Sequence, residues 1–358
     1  MKLALVLSVI DPLLGGVLIM GHRGTGKSTA VRALAELLPQ ISIVRGCSYR
    51  CDPVDAESLC VDCVAKLDSG ERLSSAKAQV AVVELPLGAT EDRVCGSIDI
   101  ERALNAGTKY FEPGILARAN RGFLYIDEVN LLEDHLVDLL LDVAVTGRNV
   151  IERESISLEH PARFVLIGSG NPEEGQLRPQ LLDRFGLNVE VTTESDVDRR
   201  TEIVERRERF DSDRDGFLAA CKGEQDELRR KITRGQKLFG SVSIDKALVR
   251  KTAQLCAELN LDGHRGELTV TRASRALAAF EGRKKVREAD VKRVMPIALR
   301  HRLRRQPFDE TASTERIDQA LEKIFESDKS FRASDASADK SNRSTQQAGH
   351  ESRWKSVV

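Results

Sequence analysis

The feature that most constrains the fold of this chain is the stretch GHRGTGKS at residues 21–28. It fits the pattern G-x-x-x-x-G-K-[ST], follows the apolar run 17–20 and precedes a helix-forming segment. Small residues let the backbone wrap closely around phosphate groups, and the N–H groups at the following helix start attract negative charge. The stretch therefore predicts a phosphate-binding loop, in which Lys27 reaches the β- and γ-phosphates and Ser28 binds Mg²⁺. The predicted nucleotide-binding residues are Gly21, His22, Arg23, Gly24, Thr25, Gly26, Lys27 and Ser28.

A pair of acids follows a second apolar run. In RGFLYIDEVN, residues 121–130, four apolar residues end at Asp127 and Glu128. An acid at the carboxyl end of a buried strand can hold Mg²⁺, and a second acid beside it can orient and deprotonate an attacking water. We therefore expect Asp127 to bind the metal together with Ser28, and Glu128 to act as the catalytic base.

A third stretch, residues 164–186, supplies an amide and two guanidinium groups. Asn171 stands just past the next apolar strand, where its amide can fix a water against the γ-phosphate. Arg178 and Arg184 follow, and such groups stabilise the charge of a transferring phosphoryl group, often from a neighbouring subunit. The alternatives are a turn former before Pro172 for Asn171 and a surface ion pair for Arg184.

The hydrophobic pattern divides the chain into three parts. Residues 1–210 alternate short, almost continuous apolar runs with helical segments, which predicts an α/β fold with a parallel sheet covered by helices on both faces. Residues 211–326 have helical periodicity and predict a separate helical domain, and the polar residues 327–358 predict a disordered tail. The expected strands are 17–20, 41–44, 80–84, 123–126 and 164–168, and the expected helices include 3–10, 27–38, 132–146, 246–259, 271–281, 288–304 and 314–325.

Charge and composition exclude several classes of protein. The 55 basic and 56 acidic side chains give a net charge of −1, so no overall field attracts nucleic acid. The basic run at 298–305 is interpreted as a solvated or partner-facing helix, not as a DNA-binding one. No run of about 18 apolar residues predicts a membrane span. Seven cysteines in a chain of this length do not indicate a secreted disulfide scaffold, so we expect a cytoplasmic protein.

Longer strings narrow the choice among phosphate-loop proteins. With FEPGILARANRGFLYIDEVNLL, GSGNPEEGQLRPQLLDRFG and GHRGELTVTRASRAL, residues 1–325 resemble the AAA+ ATPases, and within them the magnesium chelatase subunit I family. The resemblance implies an AAA+ P-loop NTPase core followed by an α-helical lid, with ATP and Mg²⁺ as cofactors. It also implies a hexameric ring that drives insertion of Mg²⁺ into protoporphyrin IX on the way to chlorophylls. The implied partners are a chelatase subunit with AAA+ and integrin domains and a large porphyrin-binding subunit. The motor of a cobalt chelatase and a MoxR-like chaperone are the alternatives, because partners select the metal and the tetrapyrrole.

The resemblance also assigns roles to single residues. It implies that Asp127 and Glu128 are the Walker B acids, Asn171 is sensor 1 and Arg184 is the arginine finger. Sensor 2, in the lid, falls on Arg272, with Arg275 as a local rival. Residues 93–120 and 148–163 resemble hairpin inserts that face the ring pore or a partner. The chain departs from the family at His22, where an acid is usual, and at Ser155, where glycine is usual.

Four cysteines form a cluster in the sequence CSYRCDPVDAESLCVDC, within an insert at residues 45–65. Cys47 and Cys51 form C-x₃-C, and Cys60 and Cys63 form C-x₂-C. Two close pairs on a loop can complete a tetrahedral thiolate site for Zn²⁺ or an iron–sulfur cluster. A redox-active disulfide and four unliganded cysteines in a surface insert remain as alternatives.

Overall fold

A computed structural model gives the structure of the protein and describes residues 1–99, 110–153, 156–175, 177–303 and 315–325. The predicted disordered tail at 327–358, Ser155 and parts of both predicted hairpin inserts lie outside the described residues.

Strands and helices alternate through the first part of the chain, and helices continue to its end. The strands are β1 Val17–Gly21, β2 Ile41–Val44, β3 Ser75–Ala78, β4 Val82–Leu85, β5 Gly96–Asp99, β6 Tyr110–Pro113, β7 Phe123–Ile126, β8 Arg148–Arg153, β9 Ile156–Pro161, β10 Val165–Gly170 and β11 Leu187–Val191. The helices are α1 Lys2–Ile10, α2 Lys27–Leu37, α3 Val61–Asp68, α4 Glu91–Cys95, α5 Ile115–Ala119, α6 Asp134–Thr146, α7 Pro179–Arg184, α8 Val197–Ser212, α9 Arg214–Phe239, α10 Lys246–Glu258, α11 Arg265–Phe280 and α12 Glu288–Leu299, with residues 315–325 also helical.

In the described part of the chain, five strands form one parallel sheet in the order β11-β1-β10-β7-β4. Its central strands are buried along their length and, except for Tyr125 and Ser169 near their ends, apolar, as expected for strands covered on both faces. Successive side chains point to opposite faces, so Ile19 packs with α1 and α2 while Leu18 packs with α6. The predicted α/β fold with a helical second part is confirmed.

One predicted strand has a different partner from the one expected. Strand β2 at residues 41–44 does not join the parallel sheet; it pairs antiparallel with β3. Its side chains are mostly half-buried, because a two-stranded ribbon beside the core covers them on one side only. Two further antiparallel pairs, β5 with β6 and β8 with β9, lie within the predicted hairpin inserts. Strand β11, at the edge of the sheet beside β1, was not predicted.

Helix α1 connects the α/β part to the helical part. Seven of its nine residues are buried, from Ala4 to Ile10, in a core shared with α2 and with the lid helices α9 and α11. The helix ends at Asp11, and the chain then turns into β1. Residue 210, the predicted domain boundary, lies inside α8. None of the helices in the described ranges is long and apolar enough to cross a membrane.

Candidate functional site

The phosphate loop lies between β1 and α2, as the sequence predicts. Gly24 and Gly26 have φ values of 79° and 77°, which residues with a side chain rarely adopt, and Gly26 is the N-cap of α2. Position 21 requires glycine, because a Cβ there would lie only 2.4 Å from the carbonyl oxygen of Val191. The loop is therefore shaped by its glycines, and its backbone is left open toward solvent.

A cavity of about 540 Å³ lies in front of the loop. It is at the carboxyl edge of the sheet because β1, β10 and β7 are neighbours and their ends meet there. Seven predicted site residues besides the glycines converge on it from three strand ends. The lining residues are Arg23, Gly24, Thr25, Gly26, Lys27, Ser28, Thr29, Tyr125, Asp127, Glu128, Ser169, Gly170 and Asn171.

Asp127 is oriented by two hydroxyl groups. Its Oδ1 accepts hydrogen bonds from Tyr125 Oη at 3.0 Å and from Ser169 Oγ at 2.5 Å. Burial raises the pKa of Tyr125 to about 12, so its phenol stays protonated and keeps donating. We did not predict Tyr125 or Ser169 from the sequence. The sequence did indicate them, because each is a polar residue near the end of an otherwise apolar strand.

Glu128 has an unusual backbone conformation at the edge of the cavity. Its φ of 53° is in the left-handed region, which costs a residue with a side chain of order 1–3 kcal/mol and is typical of functional sites. Its carboxylate lies 3.0 Å from Arg23 Nη2, which also contacts Glu174 at 2.5 Å. These acids, Glu174 first and then Glu128, raise the pKa of Arg23. Arg23 is exposed, so it can exchange these carboxylates for a phosphate.

The Lys27 ammonium group is folded onto the loop itself. Nζ donates to the carbonyl oxygens of Gly21 at 2.6 Å and His22 at 2.9 Å. These are neutral acceptors at the mouth of the cavity, and a phosphate oxygen is a stronger acceptor for the same donors. Ser28, the next residue, lines the same cavity at the start of α2.

Asn171 lies at the cavity and also forms a turn, which was the alternative to its predicted role. It lines the cavity and is only 5% exposed. Its Oδ1 also accepts from the backbone N of Glu173 at 3.3 Å and caps the turn Pro172–Glu174. The turn fixes the amide, and its Nδ2 has only a long contact, 3.4 Å, to Glu173 Oε2.

The predicted arginine finger, Arg184, and the predicted sensor 2, Arg272, lie outside the phosphate cavity. Arg184 is the last residue of α7 and contacts two acids of α6, Asp138 at 3.2 Å and Asp142 at 2.8 Å. Arg272 on α11 forms two hydrogen bonds with Asp11. Its rival Arg275 donates to the carbonyl oxygen of Val242 at 3.0 Å and lies within the lid. Of these two candidates for sensor 2, Arg272 is the one that contacts the α/β part.

The lid is also tied to α7 directly. His301 and Arg302, after α12, both donate to the carbonyl oxygen of Phe185, at 3.0 and 2.9 Å. Burial lowers the pKa of His301 to about 3 and that of Arg302 to about 10. Asp183 contacts Arg265 of α11 at 3.0 Å. The lid therefore holds α7 on both sides of Arg184.

The four cysteines of the insert come together in the fold. The sulfur atoms of Cys47, Cys51, Cys60 and Cys63 all lie within 4.8 Å of one another, and three of the residues are buried. The thiols hydrogen-bond one another, which lowers the pKa of Cys47 and raises that of Cys51, while burial raises the pKa of Cys63 to about 12.

Comparisons with known proteins agree across both parts of the chain. The family model described as magnesium chelatase, subunit ChlI, matches residues 97–180, and the AAA lid domain model matches residues 249–323. The magnesium-chelatase 38 kDa subunit of Acidiphilium rubrum is 58% identical over 322 residues, which are 90% of this chain and 93% of that protein. The ChlI subunit of Synechocystis is 54% identical over 91% of both chains. A chain in a cryo-EM-based structure of the complex between subunits BchI and BchD of magnesium chelatase is 49% identical. Its TM-score is 0.50, with 89% of this chain and 95% of that chain covered.

Proposed function

The chain belongs to the magnesium chelatase subunit ChlI family of AAA+ ATPases, and from that premise we propose that it is the ATP-hydrolysing motor subunit of a magnesium chelatase. Its work is to drive the insertion of Mg²⁺ into protoporphyrin IX, on the path to chlorophylls, while partner subunits hold the porphyrin. The observation that carries the proposal is the convergence of Lys27, Asp127, Glu128 and Asn171 on one cavity.

The cavity fits Mg-ATP by the chemistry of its donors. Backbone N–H groups of the glycine loop and the Lys27 ammonium group would hold the phosphates, with His22 and Arg23 at the loop's exposed side. The Ser28 hydroxyl and the Asp127 carboxylate are the oxygen ligands that Mg²⁺ prefers. Mg²⁺ supplies charge neutralisation for the transferring phosphoryl group. Tyr125 and Ser169 keep Asp127 in place, and both donate a hydrogen bond to the same oxygen, Oδ1.

Glu128 is proposed as the base that activates water, and Asn171 as the amide that orients it. Arg23 pairs with Glu128 at 3.0 Å in the structure. A bound γ-phosphate would attract Arg23 and free the Glu128 carboxylate to accept a proton from water. The strained backbone of Glu128 and the turn at Asn171 hold both side chains at the cavity edge before substrate arrives.

The ring arrangement is part of the same proposal. Arg184 lies on α7 outside its own chain's cavity, and among the residues that the structure describes it pairs with the acids Asp138 and Asp142 of α6. We propose that it acts on the nucleotide of a neighbouring copy in a hexamer. Arg272 would report the γ-phosphate to the lid, which we place at residues 211–326. The relative that shares 49% identity forms a complex with BchD, so a second chelatase subunit is a proposed partner, together with a large porphyrin-binding subunit.

Location and further cofactors complete the proposal. No disulfide joins any of the seven cysteines, all of which lie within the described residues, and this supports a reducing compartment such as the cytoplasm. Besides ATP and Mg²⁺, the four clustered cysteines would hold a metal, either Zn²⁺ or the iron of an iron–sulfur cluster.

The proposal is tested by measuring Mg²⁺-dependent ATP hydrolysis of the purified chain, alone and with its two partner subunits. We expect hydrolysis by the chain alone, a changed rate with the partners present, and a rate about 10²–10⁴-fold lower for Glu128→Gln. A purified chain that binds ATP but gives the same rate as Glu128→Gln would overturn the motor assignment.

A further inference from the structure

The four thiols of the cysteine loop, residues 45–65, have the dimensions of a single-ion site. Their sulfur atoms lie within 4.8 Å of one another, and Cys47 Sγ is 3.8 Å from Cys60 Sγ. A tetrahedral ion with metal–sulfur bonds of about 2.3 Å needs sulfur atoms about 3.8 Å apart. A disulfide needs about 2.05 Å, and none of these cysteines is bonded in that way.

We propose that Cys47, Cys51, Cys60 and Cys63 bind one structural zinc ion. Four thiolates in a closed, buried tetrahedron are the ligand set of structural zinc sites. An iron–sulfur cluster spreads its cysteine ligands over separate iron atoms with sulfide between them. Such ligands must lie farther apart than those of one ion, and the 4.8 Å limit leaves too little room.

The local backbone holds both pairs in position for a metal. Cys60 is the N-cap of α3 and Cys63 lies in its first turn, so the C-x₂-C pair is fixed by a helix start. The first pair lies on a turn in which the backbone N of Arg50 donates to the carbonyl oxygen of Cys47 at 3.2 Å. The backbone N of Cys60 donates to Cys51 Sγ at 3.2 Å, which joins the two pairs and is a contact that stabilises a thiolate ligand.

The cysteine loop supports the bases of the two antiparallel hairpins. The ring of Tyr49 packs at a tilt of 37° against His160 of β9 with centroids 4.8 Å apart, and the His160 ring also lies 6.0 Å from the ring of Phe111 in β6. Arg148, at the start of β8, donates to the carbonyl oxygen of Glu57 at 3.2 Å. The zinc ion would therefore fix a small loop on which both hairpins rest.

The site lies at the opposite edge of the sheet from the nucleotide cavity. Asn120 and Arg121 come just before β7, and they bind the loop through the carbonyl oxygen of Tyr49 at 2.6 Å and the carboxylate of Asp52 at 2.7 Å. Asp127 and Glu128 follow the other end of the same strand. Loss of zinc should therefore disturb the hairpins and the stability of the α/β part before it affects ATP binding.

Elemental analysis of the full-length protein, produced in medium with both zinc and iron and purified without chelators, tests the site. We expect about one zinc and no iron per chain, as for a closed tetrahedral site. The double variant Cys51→Ser/Cys63→Ser should lose the zinc. Cys221→Ser, which changes a half-buried cysteine on α9, is the matched control and should keep it.

A second measurement on the wild-type chain does not depend on variants that fold. Thiol modification in the presence of a chromogenic chelator should release one zinc per chain, lower the melting temperature and increase hydrogen exchange in residues 44–65 and 148–153. Binding of a fluorescent ATP analogue should change little. Iron with acid-labile sulfide, or a stable wild-type chain without metal, would overturn the proposal. Neither result would alter the ATPase measurement, so the two assignments fail separately.

Discussion

Arg272 of the lid and Asp11 of the α/β part form a bidentate ion pair, with Nε donating to Oδ2 at 2.8 Å and Nη2 to Oδ1 at 2.5 Å. The Asp11 side chain is 2% exposed and that of Arg272 is 35% exposed. Asp11 lies between α1 and β1, the strand that ends in the phosphate loop. The lid arginine that we propose as a γ-phosphate sensor is therefore held by a carboxylate on the chain segment that leads into the loop.

This pair predicts an asymmetric response to mutation. Arg272→Ala leaves a buried carboxylate without its cation, which should lower the free energy of unfolding by about 3 kcal/mol. Asp11→Asn removes that charge, so the double variant Asp11→Asn/Arg272→Ala should be more stable than Arg272→Ala alone. Urea unfolding of the three variants and the wild type measures the coupling. Arg275→Ala, on the same helix, serves as the control that should show no coupling with Asp11→Asn. Additive effects of Asp11→Asn and Arg272→Ala would contradict the interpretation of the pair.

Two substitutions in the cavity should separate binding from hydrolysis. Lys27→Ala removes the ammonium group that we expect at the β- and γ-phosphates and should abolish productive ATP binding. Glu128→Gln keeps the shape but not the basicity, so ATP should still bind while kcat falls by about 10²–10⁴-fold. Glu133→Gln, the same change at an exposed acid nearby, should behave like the wild type. Turnover near the wild-type rate in Glu128→Gln would remove Glu128 from its assigned role.

The position of Arg184 predicts that active sites are shared between copies of the chain. The Arg184→Ala variant should hydrolyse ATP roughly 10³-fold or more slowly than the wild type, because an arginine finger stabilises the charge of the transferring phosphoryl group. Mixing Arg184→Ala with Lys27→Ala chains should restore part of the rate, because some interfaces then combine an intact loop with an intact arginine. Subunit exchange, followed by energy transfer between labelled chains, is the control. Exchange without any recovery of the rate would show that Arg184 does not act across an interface.

The lid contact at His301 predicts a dependence of stability on pH. Burial, and then the charge of Arg302, lower the pKa of His301 from 6.5 to about 3. Below pH 6.5 the unfolded chain binds a proton that the folded chain does not. The free energy of unfolding therefore falls as the pH is lowered from 6.5 to about 3. Between pH 6 and 5 the wild type should lose up to about 1.4 kcal/mol per pH unit more than His301→Gln, measured by urea unfolding. If the free energy of unfolding depended on pH in the same way for both proteins, His301 would not be buried in its neutral form.

Much of the site could be predicted because local chemistry demands it. A loop that wraps phosphate needs Gly24 and Gly26, and a metal at a strand end needs an acid such as Asp127. The four cysteines were predicted to come together because their spacing within one insert is short. Long-range pairing could not be predicted in this way. Nothing near Asp11 in the sequence indicates that Arg272 is its partner, since α11 reaches it only after the lid folds back on α1.

The two errors in the predicted fold, at β2 and β11, also arise from contacts between segments that are distant in the sequence. An apolar run at 41–44 satisfies the pattern of a buried parallel strand, but its pairing with β3 is decided by the packing of the cysteine loop beside it. Strand β11 was missed because Asn188 and Glu190 interrupt its apolar residues. Its position at the sheet edge accommodates Glu190, which is exposed and lies 3.2 Å from Arg300 of the lid.

The most direct test of the proposed function is a reconstituted insertion assay. Protoporphyrin IX, Mg²⁺, ATP and the two partner subunits are combined with the wild-type chain, with Glu128→Gln, or without the chain, and Mg-porphyrin is followed by fluorescence. The ATP-hydrolysing motor assignment predicts insertion only with the wild-type chain, and none with Glu128→Gln although it binds ATP. Insertion at the same rate when the chain is omitted, or when Glu128→Gln replaces it, would contradict that assignment.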